Sequence, residues 1–181
     1  LSVFFTFEQI IKQPDERYDS FFASLYNEDN ELPKNIRILS WNYDSQFELS
    51  YLQYSREMNT SNIQAALNIS YKYGNNHERN RFGIYKLNGT TGLRRHNGNE
   101  FVHYGYTNNL NVEFDINIVD EIIRSYTVGI FSRKNIPVFS FAWETENKPD
   151  NIIEIATKAT EDSIALVVIG YSFPFFNRNT D

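Results

Sequence analysis

Three short polar stretches each follow an apolar run: Asn42-Tyr43-Asp44, Asn88-Gly89 and Gly170-Tyr171-Ser172. Amides and carboxylates at the end of a strand can orient a polar ligand, and a glycine there lets the main chain approach it closely. Each stretch also has a plainer explanation. Asn and Asp suit turns and helix caps, Asn-Gly between β-like runs signals a hairpin, and a glycine after a strand can simply turn the chain. Taken singly, the plainer explanation suffices. Other chemistries find less support. His77, His96 and His103 are scattered without ligand spacing, and the absence of cysteine excludes disulfides and thiolate zinc sites. No P-loop pattern occurs, which leaves phosphoryl transfer unsupported.

The elements that would carry these residues can be read from periodicity. Val3–Ile11 and Asp15–Leu25 read as helices separated at Pro14, the second with Tyr18, Phe21, Phe22 and Leu25 on one stripe. "NIRILSW" reads as a strand, and Ser45 followed by Glu48 is a capping-box pattern that starts a helix at Ser45. The region from about residue 63 to 114 is short, alternating and β-like. A helix is expected near Ile118–Tyr126, a strand at "IPVFSFAW" and a helix at "KPDNIIEIATKATED". "SIALVVIG" is unbroken and apolar, as strands buried on both faces are. This order predicts an α/β fold built on a parallel sheet, with a small β-rich insertion at about 63–114 in a single domain spanning 1–181.

Composition bounds the rest. The 181 residues suffice for one domain, and 41% hydrophobic with 22% charged residues describes a folded chain. Aromatic residues make up 16%, so the core is expected to be rich in rings. A net charge of -6 argues against nonspecific nucleic-acid binding, because an acidic surface repels phosphate. The basic doublets Arg94-Arg95 and Arg133-Lys134 read as solvated loop charge. No apolar run is long enough to span a membrane. The chain opens at Leu1 in a helical pattern and is expected to be incomplete at both ends.

The order of "ILSWNYDSQFE", "IYKLNGTTG", "IPVFSFAW" and "IALVVIGYSFPFFNRNTD" resembles the bacterial sirtuin-like domains over roughly Ile36–Asp181. That family shows a strand ending in Thr-Asn-Tyr-Asp, a Lys-Leu-His-Gly segment, a Pro-headed strand, and a last strand into Gly-Tyr-Ser-Phe-Pro before a late Asp. The resemblance implies a Rossmann-like NAD-binding fold and a reaction at the nicotinamide–ribose bond, with oxocarbenium-like charge in the transition state. Some members pass ADP-ribose to acyl-lysine, and many bacterial members hydrolyse NAD, often in phage defence. Carried over by position, Asn42 contacts the nicotinamide ribose or orders water near it, and Asp44 braces that loop. Tyr43, Gly170, Ser172 and Asp181 fall to NAD binding. NAD or ADP-ribose is then the expected ligand, with a homo-oligomer or a fused effector domain as further partners and a cytoplasmic location.

Two departures stand out. Asn88 occupies the position of the family's catalytic His, and an amide cannot accept a proton near neutral pH. Trp41 replaces the Thr before Asn42. The glycine-rich pyrophosphate loop, which in the family precedes these motifs, has no counterpart here, since the sequence contains no Gly-x-Gly. The resemblance therefore implies a degenerate or incomplete NAD-binding module, with a nucleotide-free protein-interaction domain as the alternative.

Overall fold

The computed structural model describes residues 15–29, 31–55, 59–71, 78, 80–96, 100–103, 117, 120, 123–124, 127, 135–139 and 152–170. Among them are four helices and two small sheets. α1 (Glu16–Leu25) begins where Asp15 accepts a hydrogen bond from the Arg17 amide. It lays Phe22 into the core, with Tyr18, Phe21 and Leu25 packed beside it, which is the stripe the spacing predicts. The helix expected at Val3–Ile11 lies outside the described residues.

β1 (Arg37–Ser40), β2 (Ile69–Tyr71) and β3 (Gly83–Lys86) form a parallel sheet in the order β1-β3-β2. In register, Ile38 lies beside Ile84 and Leu39 beside Tyr85. The alternation sends the two pairs to opposite faces. Ile38, Ile84 and Ile69 meet α1, α2 (Gln46–Leu52) and α3 (Thr60–Ala66) in a cluster around Phe22, Phe47 and Ile63. Leu39 and Tyr85 instead meet Ile152 and Ala156 of α4 (Ile152–Thr160). A parallel sheet covered by helices on both faces is the α/β arrangement expected from the sequence.

The ring-rich core also follows from composition. Phe22 makes edge-on contacts with Phe47 and Tyr51, at centroid distances of 6.2 and 5.9 Å. Tyr18 stands edge-on to Phe47 at 4.7 Å. Such geometry places the positive ring edge against the negative face of its neighbour.

The middle of the chain is divided between the two sheets. Thr60–Ala66 is helical, and β2 and β3 belong to the parallel sheet rather than to a separate β-rich unit. β4 (Gly89–His96) pairs antiparallel with β5 (Glu100–His103) and with β6 (Asn135–Phe139). Asn88-Gly89 is therefore not a hairpin turn: Gly89, at φ 85°, passes the chain from the parallel sheet to the antiparallel one. Hairpin chemistry fixes the turn residues but not which neighbour the next strand meets. Arg94 and Arg95 lie within β4, not in a loop. Of the helix expected near Ile118–Tyr126, the described residues Asp120, Ile123 and Arg124 are helical, but Ile123, placed on its apolar side, is exposed.

The largest departure concerns "SIALVVIG". Among the described residues, 163–169 form no strand, and Ile164, Leu166, Val167, Val168 and Ile169 are all exposed, the least of them at 50%. An unbroken apolar run records strand propensity but cannot supply the edge to which a strand must bond. "IPVFSFAW" likewise contributes its strand to the antiparallel sheet, not the parallel one.

Candidate functional site

The loop Trp41–Ser45 leaves the carboxyl end of β1, beside the carboxyl end of β3. Ligands of open α/β sheets collect at this end. The loop is tied from four directions. Asn42 donates from its main-chain amide to Ser40 Oγ at 3.2 Å and from Nδ2 to the Tyr18 hydroxyl at 2.9 Å. Asn88 Nδ2 donates to the Trp41 carbonyl at 2.9 Å. Thr91 donates to the Tyr43 carbonyl from both its amide and its hydroxyl, each at 3.0 Å. From below, Lys86 Nζ donates to the Asp44 carbonyl at 2.7 Å.

The loop then passes into α2. Asp44 Oδ1 accepts from the Gln46 amide at 3.2 Å, and the Gln46 side chain accepts from the Asp15 amide at 2.9 Å. Ser45 stands at the N-cap as its spacing with Glu48 predicts, but its side chain makes no capping bond. Glu48 does not turn back to close a capping box. It is fully buried and ion-paired with Lys86. Attraction by a buried ammonium outweighs a bond to one helix-end amide.

Asn42 is exposed at the tip, while Tyr43, Asp44 and Asn88 are half-buried. Burial raises the Tyr18 phenol above its ordinary range, and the Asp44 carboxylate adds to the effect. Tyr18 therefore stays a neutral hydroxyl beside Asn42 at physiological pH. An exposed amide, a carboxylate and a phenol at one strand end can orient hydroxyl groups of a sugar.

Of the residues assigned from sequence, Asn42, Tyr43, Asp44 and Asn88 are brought together. Gly170 follows the exposed run, has φ +66°, and a Cβ built there meets nothing within 4 Å. Ser172 and Asp181 lie outside the described residues. His96 and His103 end β4 and β5, and His77 lies outside the described residues. Among the described residues, no group of His, Asp and Glu is arranged to hold a metal ion.

Sequence reasoning missed Tyr18, Gln46, Glu48, Lys86 and Thr91. A surface hollow of about 310 Å³ lies at the other end of the parallel strands, lined by Tyr26, Lys34, Tyr51, Arg81 and Phe82 among others. It shares no residue with the Asn42 loop. Compared with models of protein families, with curated proteins and with solved structures, the chain matches none.

Proposed function

We propose that the chain is a sirtuin-like module that binds NAD or ADP-ribose at the Asn42–Asp44 loop and does not cleave it. The observation that carries this reading is the placement of Asn42 and Asp44 at the carboxyl ends of two adjacent parallel strands, on a loop bonded from four directions. Asn42 presents an exposed amide to the ribose nearest the nicotinamide, and Asp44 lies two residues on, half-buried. Asn88, in the position of the family's base, spends its amide on the Trp41 carbonyl and has no proton-accepting nitrogen. It holds the loop, and activation of water or a ribose hydroxyl does not fall to it.

Isothermal titration with NAD and with ADP-ribose is the direct test. Saturable heat that disappears in Asn42→Ala and Asp44→Ala supports the reading; no saturable heat in the full chain overturns it. Nicotinamide release is expected to stay at the level of the Asn42→Ala/Asp44→Ala double variant. Release above that level would restore catalysis to the chain and refute the non-cleaving part of the proposal.

A second reading has its own observation. The exposed apolar residues between Ile164 and Ile169 form the kind of surface that protein partners cover. If nucleotide titrations give no heat, a protein-interaction module becomes the better account.

A further inference from the structure

Two charges lie where the pattern of burial calls for apolar side chains. Lys86 closes β3 on the face that carries Ile84, and Glu48 lies on α2 between Phe47 and Leu49, all buried. Their side chains are 1% and 0% exposed. The three Nζ hydrogens meet three acceptors: Glu48 Oε1 at 2.7 Å, Glu48 Oε2 at 3.0 Å and the Asp44 carbonyl at 2.7 Å. Gln64, reaching across from α3, donates Nε2 to Glu48 Oε1 at 3.1 Å. One polar group thus joins β3, α2, α3 and the loop.

Stability alone does not account for this arrangement. Removing two charges from water is costly, and well-packed apolar side chains of similar volume commonly serve as well or better. An apolar side chain at 86 could fill the space but could not donate to the Asp44 carbonyl. We infer that Glu48, Lys86 and Gln64 form a positioning device for the Trp41–Ser45 loop. Lys86 fixes the main chain at Asp44 and thereby aims Asn42 and the Asp44 carboxylate. Glu48 holds the ammonium in place through both carboxylate oxygens, and Gln64 holds Glu48. The ligand consequence rests on the nucleotide-binding reading above; the mechanical one does not.

The test replaces the group with apolar volume, as Glu48→Leu/Gln64→Leu/Lys86→Met, and follows amide hydrogen exchange in the full chain. The Gln46 and Thr91 amides are bonded by loop groups and report its position, whereas the Leu87 amide, bonded to the Ser40 carbonyl at 2.8 Å, reports the sheet. Exchange at Gln46 and Thr91 is expected to accelerate at least about tenfold while Leu87 and the urea midpoint stay put. Unchanged loop amides, or loop and sheet amides accelerating together, would overturn the inference. Glu48→Gln/Lys86→Met leaves Gln64 its partner and must give the same pattern, so misfolding of the triple variant does not end the test.

A second arm titrates ADP-ribose into the parent chain and the triple variant, where about tenfold weaker binding is expected. Equal affinities refute the positioning role. A parent chain that does not bind refutes the nucleotide reading alone, and the exchange data still decide the mechanical one.

Discussion

Asn42 and Asn88 are chemically identical side chains with opposite surroundings. Asn42 is exposed and Asn88 is half-buried against the Trp41 carbonyl. Losing an exposed hydrogen bond matters little to folding, so Asn42→Ala is expected to leave the urea midpoint nearly unchanged while removing ligand heat. Asn88→Ala is expected to cost about 1 kcal/mol in urea unfolding, the usual value of one neutral hydrogen bond. Asn68 offers a sharper comparison. It has φ 49°, its Nδ2 donates to the Glu78 and Phe82 carbonyls, and its Oδ1 accepts from the Glu78 amide. Asn68→Ala loses those bonds and strains the backbone, whereas Asn68→Gly loses only the bonds. Glycine should therefore be the milder substitution by roughly 1 kcal/mol, read by the same denaturation. At this scale the turn-forming Asn42 and Asp44 were legible, because they follow an apolar run directly. Lys86 and Glu48 were not, because a pair separated by 38 positions leaves no local spacing to read.

Among the elements, α1, α2 and α4 were legible from local caps and stripes, whereas α3 was not read. Asp15 caps α1 and also binds the Arg17 guanidinium, which holds its carboxyl down to about 2. The sign follows directly. A carboxyl depressed in the folded state stabilises fully above its ordinary value of 3.8 and loses that contribution as the pH falls toward about 2. A carbon-detected titration of Asp15 should show this low midpoint, and Arg17→Ala should return it toward the ordinary range. Asn59 caps α3 by accepting from the Ser61 and Asn62 amides, and Asn59→Ala is expected to cost about 1 kcal/mol by thermal or urea unfolding. All six strands fall on runs that read as strand or β-like, but their partners were not legible. β3 and β4 are separated by only two residues and lie in different sheets, which a local pattern cannot announce.

At the scale of the molecule, the parallel sheet, its two helical coverings and the aromatic core agree with what order and composition imply. The asparagine corner stands at the sheet, and of the glycine corner only the exposed Gly170 is described. The run from Ile164 to Ile169 has a consequence for the behaviour of the protein in bulk solution. A ribbon of exposed β-branched and leucine side chains can stack on its own kind. The exposed Glu161 and Asp162 directly precede it, and like charges on every copy oppose in-register stacking. Salt screens that repulsion, so turbidity of concentrated solutions should rise with ionic strength, and Glu161→Gln/Asp162→Asn should bring the rise on at lower salt. The two carboxylates would then act as a colloidal guard, and their influence should vanish once Val167→Lys breaks the ribbon itself.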